Sequence, residues 1–60
     1  MKNIRLLREQ QNMTQVELAD AVGISQKEIS SYETGVKSPR VNVAVVIADV
    51  LGVTIGELVG

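Results

Sequence analysis

Cysteine and histidine are both absent from this chain of 60 residues. Without cysteine there is neither a disulfide framework nor a thiolate metal site. Without histidine the commonest general base and zinc ligand is gone. Tyr32 is the sole aromatic residue, so any core must be aliphatic. No apolar run approaches the roughly 18 residues that a membrane span requires, and Met1 to Arg5 lack a signal-peptide apolar segment. These absences suit a cytoplasmic chain with no membrane association, no metal, no cofactor and no evident small-molecule ligand. They also leave an enzyme little to work with. The serines have no histidine partner, and the carboxylates are spread along stretches that read as helix surfaces. The length itself describes one domain, residues 1–60, near the lower limit for a chain that folds alone.

What the chain does have is a strongly patterned centre, TQVELADAVGISQKEISSYE from Thr14 to Glu33. Val16, Leu18, Ala19 and Val22 fall at helical spacing. Gly23 follows, where the chain can turn sharply with φ > 0. A second short helix, with Ile29 and Tyr32 as its apolar side, opens at Ser25. Thr14-x-x-Glu17 and Ser25-x-x-Glu28 each fit a capping box, a hydroxyl at the N-cap and a carboxylate three residues on. Two short helices joined by a three- to four-residue turn containing Gly describe a helix-turn-helix. Ala19 is small enough to let the two helices cross closely.

The flanks complete a helical chain. A first helix is predicted from about Lys2 to Gln11, with Ile4 and Leu7 facing the core, Leu6 at its edge and Arg5–Glu9 a solvated i,i+4 pair. Asn12 fits the left-handed position that ends it, and Met13 packs inward. Val36 to Arg40 reads as a loop, because Pro39 pushes Ser38 out of the α region. The segment from Val41 to Val53 is ambiguous. Its valines favour a strand on propensity, whereas Ala44, Ile47, Ala48 and Leu51 fall at helical spacing. That spacing predicts a fourth helix from about Asn42 to Leu51, with Asn42 available to cap its first turn and Gly52 its C-cap. Thr54-x-x-Glu57 then starts a fifth.

The helix-turn-helix, together with Ile4-Arg5-Leu6-Leu7-Arg8 before it and Tyr32-Glu33-Thr34-Gly35 and Ser38-Pro39 after it, resembles the Cro/repressor-type (Xre-type) family of phage and bacterial regulators. The resemblance covers nearly the whole chain. It implies an all-α, compact five-helix, lambda-repressor-like domain that binds double-stranded DNA as a transcriptional regulator, a repressor by preference. In such a fold the third helix (about 25–33) enters the major groove with its N-terminal residues at base edges. Ser25, Gln26, Lys27, Glu28 and Ser31 then become the DNA-binding set on that helix. Gln26 suits adenine, Lys27 guanine or phosphate, Ser31 either kind of base, and Glu28 cytosine. Taken alone, these side chains describe an ordinary solvated helix face. Gln15 matches the family position that holds a phosphate at a helix N-terminus. Thr34, Lys37 and Arg40 can grip backbone or, for Arg40, a minor groove. The family also pairs an arginine with a glutamate at the positions of Arg8 and Glu33, joining the first and third helices.

Two features bear on partners. Placed at 100° intervals, Val43, Val46 and Val50 form a second apolar stripe beside the core-facing one. So small a core is not expected to enclose both, so this stripe is a candidate homodimer interface on a palindromic site. The net charge of −1 is unusual for a nucleic-acid binder. Lys27, Lys37 and Arg40 nevertheless cluster around the predicted third helix, whereas the acidic excess lies in Glu9, Glu17, Asp20, Asp49 and Glu57. The alternative is a protein-interaction module of the same fold, an antitoxin or anti-repressor component.

Overall fold

Three of the helix starts in this protein follow hydroxyl side chains. The structure is a computed structural model that describes residues 1–60, the side chain of Lys2 excepted. It has five helices: α1 (Lys2–Gln10), α2 (Gln15–Val22), α3 (Gln26–Thr34), α4 (Val41–Leu51) and α5 (Ile55–Val59). No strand occurs among the described residues, so helical spacing prevails over valine propensity in α4. Thr14 Oγ1 accepts from the Glu17 N–H at 3.1 Å, and Glu17 accepts from the Thr14 N–H at 2.8 Å. Thr54 and Glu57 repeat the full box ahead of α5. At α3 the box is only half made. Ser25 Oγ accepts from the Glu28 N–H at 3.2 Å, but the Glu28 carboxylate instead accepts from Tyr32 Oη at 3.4 Å, one turn along the helix.

The start of α4 also differs from expectation. Arg40, extended after Pro39, is the N-cap without a side-chain bond, so Asn42 lies inside the first turn rather than capping it. The Arg40 carbonyl accepts from the Ala44 N–H at 2.8 Å and opens the helix there. Between α2 and α3, Gly23 takes φ 88. A Cβ there would touch nothing within 4 Å, so the glycine serves the backbone conformation rather than a close approach. Asn12 adopts the left-handed region with φ 57 after α1, which asparagine tolerates better than most side chains.

The core draws one large aliphatic side chain from each helix. Ile4, Leu18, Ile29, Ile47 and Leu58 are completely enclosed, with Ala19, Tyr32, Ala48 and Leu51 packed among them. Burying each such aliphatic side chain is worth about 1.5–3 kcal/mol. Helix α3 packs on α1 and α2, while α4 lies against α2 and α5. The apolar pattern is not followed throughout. Leu6 and Val16 are exposed. Val43 and Val50 are half-buried against the core, so the core encloses more of α4 than the two-stripe reading allows.

One polar tie spans α1 and α3. Arg8 Nε donates to Glu33 Oε2 at 2.7 Å and Arg8 Nη2 donates to Glu33 Oε1 at 3.2 Å, a two-pronged pair. Their side chains are only 10 % and 4 % exposed. Arg8 Nη1 also donates to the Met13 carbonyl at 2.7 Å, fixing the link between α1 and α2. The pair is thus buried and fully hydrogen-bonded, unlike the exposed Arg5–Glu9 contact on α1. Removing one partner of a buried pair costs about 3–5 kcal/mol, because the other charge is stranded. A domain of this size has about that much stability in total. Glu33→Ala is therefore expected to leave the protein largely unfolded at room temperature, as followed by circular dichroism on heating. A melt that overlays the wild type would contradict this account of the pair.

Candidate nucleic-acid interface

The exposed side of α3 is defined by what turns inward. Ile29 and Tyr32 are buried, which leaves Gln26, Lys27 and Glu28 exposed at the front of the helix. Ser31 is half-buried on the following turn, so its hydroxyl is less accessible than a fully outward position would make it. Ser25 is occupied as the N-cap. Glu28 is drawn toward Tyr32, and Tyr32 is held above the usual phenol range by its burial and by the neighbouring Glu28 carboxylate. Past α3, the Thr34 hydroxyl donates back to the Ser31 carbonyl at 3.3 Å. Lys37 and Arg40 project from the exposed connection around the buried Pro39.

The bonds of Ser25, Glu28 and Thr34 are local to α3, whereas those of Gln15 cross from α2 to α3. Its Nε2 donates to Glu33 Oε1 at 2.9 Å, and its Oε1 accepts from Gln26 Nε2 at 3.4 Å. Gln15 is half-buried at the first position of α2, and Gln26 is exposed at the first position of α3. The structure therefore brings Arg8, Glu33, Gln15 and Gln26 into one chain of contacts from the core to the exposed face. Helical spacing gives no sign of this link, which joins three helices. The one available signal is chemical: a carboxylate accepts only, and amides stand at the first position of both helices of the motif.

Burial alone would raise the Glu33 carboxyl. Hydrogen bonds from Arg8 and Gln15, and the Arg8 charge, outweigh it and hold the carboxyl below the usual carboxylate range. With Glu33 neutralised by Arg8, the surface of α3 and the loop after it carries Lys27, Lys37 and Arg40 against Glu28. Local charge there is positive even though the chain as a whole is slightly acidic.

On α4 and the chain leading into α5, Val45, Val46, Ala48, Asp49, Val53 and Ile55 line an open groove of about 310 Å³. Val45 and Val46 are 47 % and 40 % exposed. Of the three valines in the expected interface, Val46 projects furthest, while Val43 and Val50 contribute only partly exposed edges. Among the described residues, no helix is long and apolar enough to cross a membrane.

Comparison with known proteins places these features in context. The family described as "Helix-turn-helix" matches residues 4–58. Antitoxin PezA of Streptococcus pneumoniae is 37 % identical over 59 residues, which span 98 % of this chain and 37 % of PezA. The cryptic phage CTXphi transcriptional repressor RstR of Vibrio cholerae serotype O1 is 43 % identical over 49 residues, 82 % of this chain and 44 % of RstR. A second Vibrio cholerae RstR is 36 % identical over 56 residues, 93 % of this chain and 50 % of its own length. The chain thus spans half or less of each of these curated relatives.

The lowered Glu33 value carries a pH dependence of stability with a definite sign. In the unfolded chain the carboxyl titrates near its ordinary value of about 4.3, and in the folded protein it titrates lower. Its stabilisation is therefore fully present above the unfolded value. It is lost as pH falls through the folded one. The Glu33 contribution to the melting temperature is expected to be constant with pH above about pH 5 and to decline below about pH 4. Glu33→Gln should start lower at neutral pH and decline less over the acid interval. Melts between about pH 7 and 2.5 check this; parallel acid declines in the two proteins would contradict it.

Proposed function

The chain belongs to the Xre-type helix-turn-helix family, and from that premise we propose that it binds double-stranded DNA sequence-specifically and acts as a transcriptional regulator, a repressor. The observation that carries this reading is the front of α3, where Gln26 and Lys27 are exposed while Ile29 and Tyr32 anchor the helix from below. In this reading α3 lies in the major groove, Gln26 reads adenine through one donor and one acceptor, and Lys27 reaches guanine or a phosphate. Ser31 adds a hydroxyl contact and Glu28 stands near cytosine. The free N–H groups at the start of α2 and the second amide proton of Gln15 meet a phosphate. Lys37, Arg40 and Thr34 grip the backbone beyond. The similarity to two proteins named transcriptional repressors supports this assignment. The chemistry is binding without turnover, and its place is the cytoplasm, where the chromosome of a bacterium or infecting phage is read.

Binding titrations on a selected duplex test the roles separately. Gln26→Ala should cost about 1–3 kcal/mol on the best site and relax preference at one base position. Lys37→Ala should weaken all sites alike and flatten the salt dependence by about one unit. An unchanged site preference in Gln26→Ala would overturn the base-reading assignment. The similarity to a protein named an antitoxin favours a second reading, a module that engages a partner protein with little DNA binding. Gel shifts with genomic fragments at low and moderate salt separate the two.

The repressor reading includes a homodimer on a palindromic operator, paired through α4 about Val46 with the edges of Val43 and Val50, and extended by Val45, Val53 and Ile55. Two-fold pairing of the protein matches two half-sites on DNA. A buried valine contributes about 1.5 kcal/mol or more, and association costs about 4–15 kcal/mol. A few valines from each copy therefore make a weak dimer that DNA completes. Sedimentation equilibrium over a wide concentration range should find self-association in the wild type and its loss in Val46→Lys. A wild type that remains monomeric at millimolar concentration, or a mutant that pairs equally well, would exclude this interface.

A further inference from the structure

Three helices of this protein begin with a hydroxyl followed three residues on by a glutamate, and the three glutamates do not behave alike. Glu17 and Glu57 turn back to accept from the N–H groups of Thr14 and Thr54 at 2.8 and 3.0 Å. Glu28 leaves its box half made and lies one turn further along, where it accepts from Tyr32 Oη at 3.4 Å. The physical reason is a competition between two donors. Ser25 is exposed, so water can serve its N–H. Tyr32 is buried in the core, where a phenol hydroxyl needs a partner from the protein. The carboxylate goes to the donor that has fewer alternatives.

We propose that Tyr32 is a positioning residue for base recognition: its hydroxyl holds the Glu28 carboxylate out of the capping box and on the exposed face of α3, where it selects cytosine against thymine. This rests on the DNA-binding reading and deepens it. At 100° per residue, Lys27 points most directly away from the buried Ile29 and Tyr32, and Glu28 lies between Lys27 and Tyr32. A contact to Tyr32 therefore draws the carboxylate along the flank of the reading face. The chemistry there is one-sided. An ionised carboxylate only accepts. In the major groove cytosine presents its N4 amino group, whereas thymine presents the O4 acceptor and a methyl group. A carboxylate held at that place bonds the first and is repelled by the second. Drawn back into the box, the same carboxylate would have one oxygen committed to the Ser25 N–H and would be displaced toward the start of α3, out of register with that base. Tyr32 thus contributes to sequence reading without touching DNA. Its ring fills the core, and its hydroxyl does the positioning.

Tyr32→Phe separates the two roles, because it keeps the buried ring and deletes the hydroxyl. The first readout needs no DNA: the temperature dependence of the amide proton shifts of Thr14, Ser25 and Thr54, which is shallow for a bonded amide and steep for a free one. In the wild type Ser25 should be steep while Thr14 and Thr54 are shallow; in Tyr32→Phe Ser25 should join them. The second readout is the ratio of affinities for duplexes that differ only by cytosine or thymine at the base sensitive to Glu28→Ala. That ratio should fall about tenfold in Tyr32→Phe. A loosened core would weaken both duplexes alike and leave the ratio unchanged. In a Glu28→Ala background, Tyr32→Phe should not move the ratio further. A Ser25 amide as shallow as that of Thr14 in the wild type overturns the proposal whether or not the variant folds or the protein binds DNA. An unchanged cytosine-to-thymine ratio in Tyr32→Phe, with specific binding retained, overturns it while leaving the DNA-binding reading intact. So does a Glu28→Ala protein that relaxes no base position. Failure of the wild type to bind any duplex would overturn both.

Discussion

A single buried ion pair organises this small protein. Arg8 and Glu33 meet through two hydrogen bonds at the junction of α1 and α3, and Arg8 adds a third to the chain leaving α1. In a core built from six large aliphatic side chains, Tyr32 and three alanines, apolar packing alone allows helices to slide. Dispersion and burial are non-directional, whereas a two-pronged arginine–carboxylate contact fixes angle and register together. The cost of burying two charges is offset only when their hydrogen bonds are satisfied, and no buried side-chain polar atom among the described residues lacks a partner. Everything on the exposed face of α3 is placed relative to this junction.

Local chemistry explains how so short a chain sets the junction up. Hydroxyl caps at Thr14, Ser25 and Thr54 start three of the five helices, and left-handed Gly23 turns α2 into α3 without a steric demand on the space around it. Ala19 lets the two helices approach, and Leu18 and Ile29 close the contact. The positions left outward on α3 are then few, and they are polar. The same arrangement concentrates positive charge where the chain as a whole is acidic, because Glu33 is turned inward and neutralised.

Much of this was legible in the residues. The three caps, the helix-turn-helix and the inward pair Ile29 and Tyr32 follow from spacing and hydroxyl–carboxylate signatures that act over three or four residues. What was not legible depends on contacts between helices. The half-made box at Ser25 reflects competition for Glu28 by Tyr32, which is one turn away. The start of α4 at Val41 reflects the extended Arg40 after Pro39 rather than any capping side chain. Val43 and Val50 are drawn against the core although periodicity placed them on a separate stripe, while Val45 lies beside Val46 at the groove. Likewise, the sequence offers Gln15 and Gln26 as two separate DNA contacts; only the folded chain joins them to Glu33.

The central claim is that the face organised by this junction reads a defined DNA sequence. Selection of bound duplexes from a fully random library, followed by sequencing, tests it most directly. The account predicts an enriched motif with two inverted half-sites whose centres lie about one helical turn, roughly 10 base pairs, apart, with adenine dominant at one position of each half. Recovery of sequences with no common motif would contradict it.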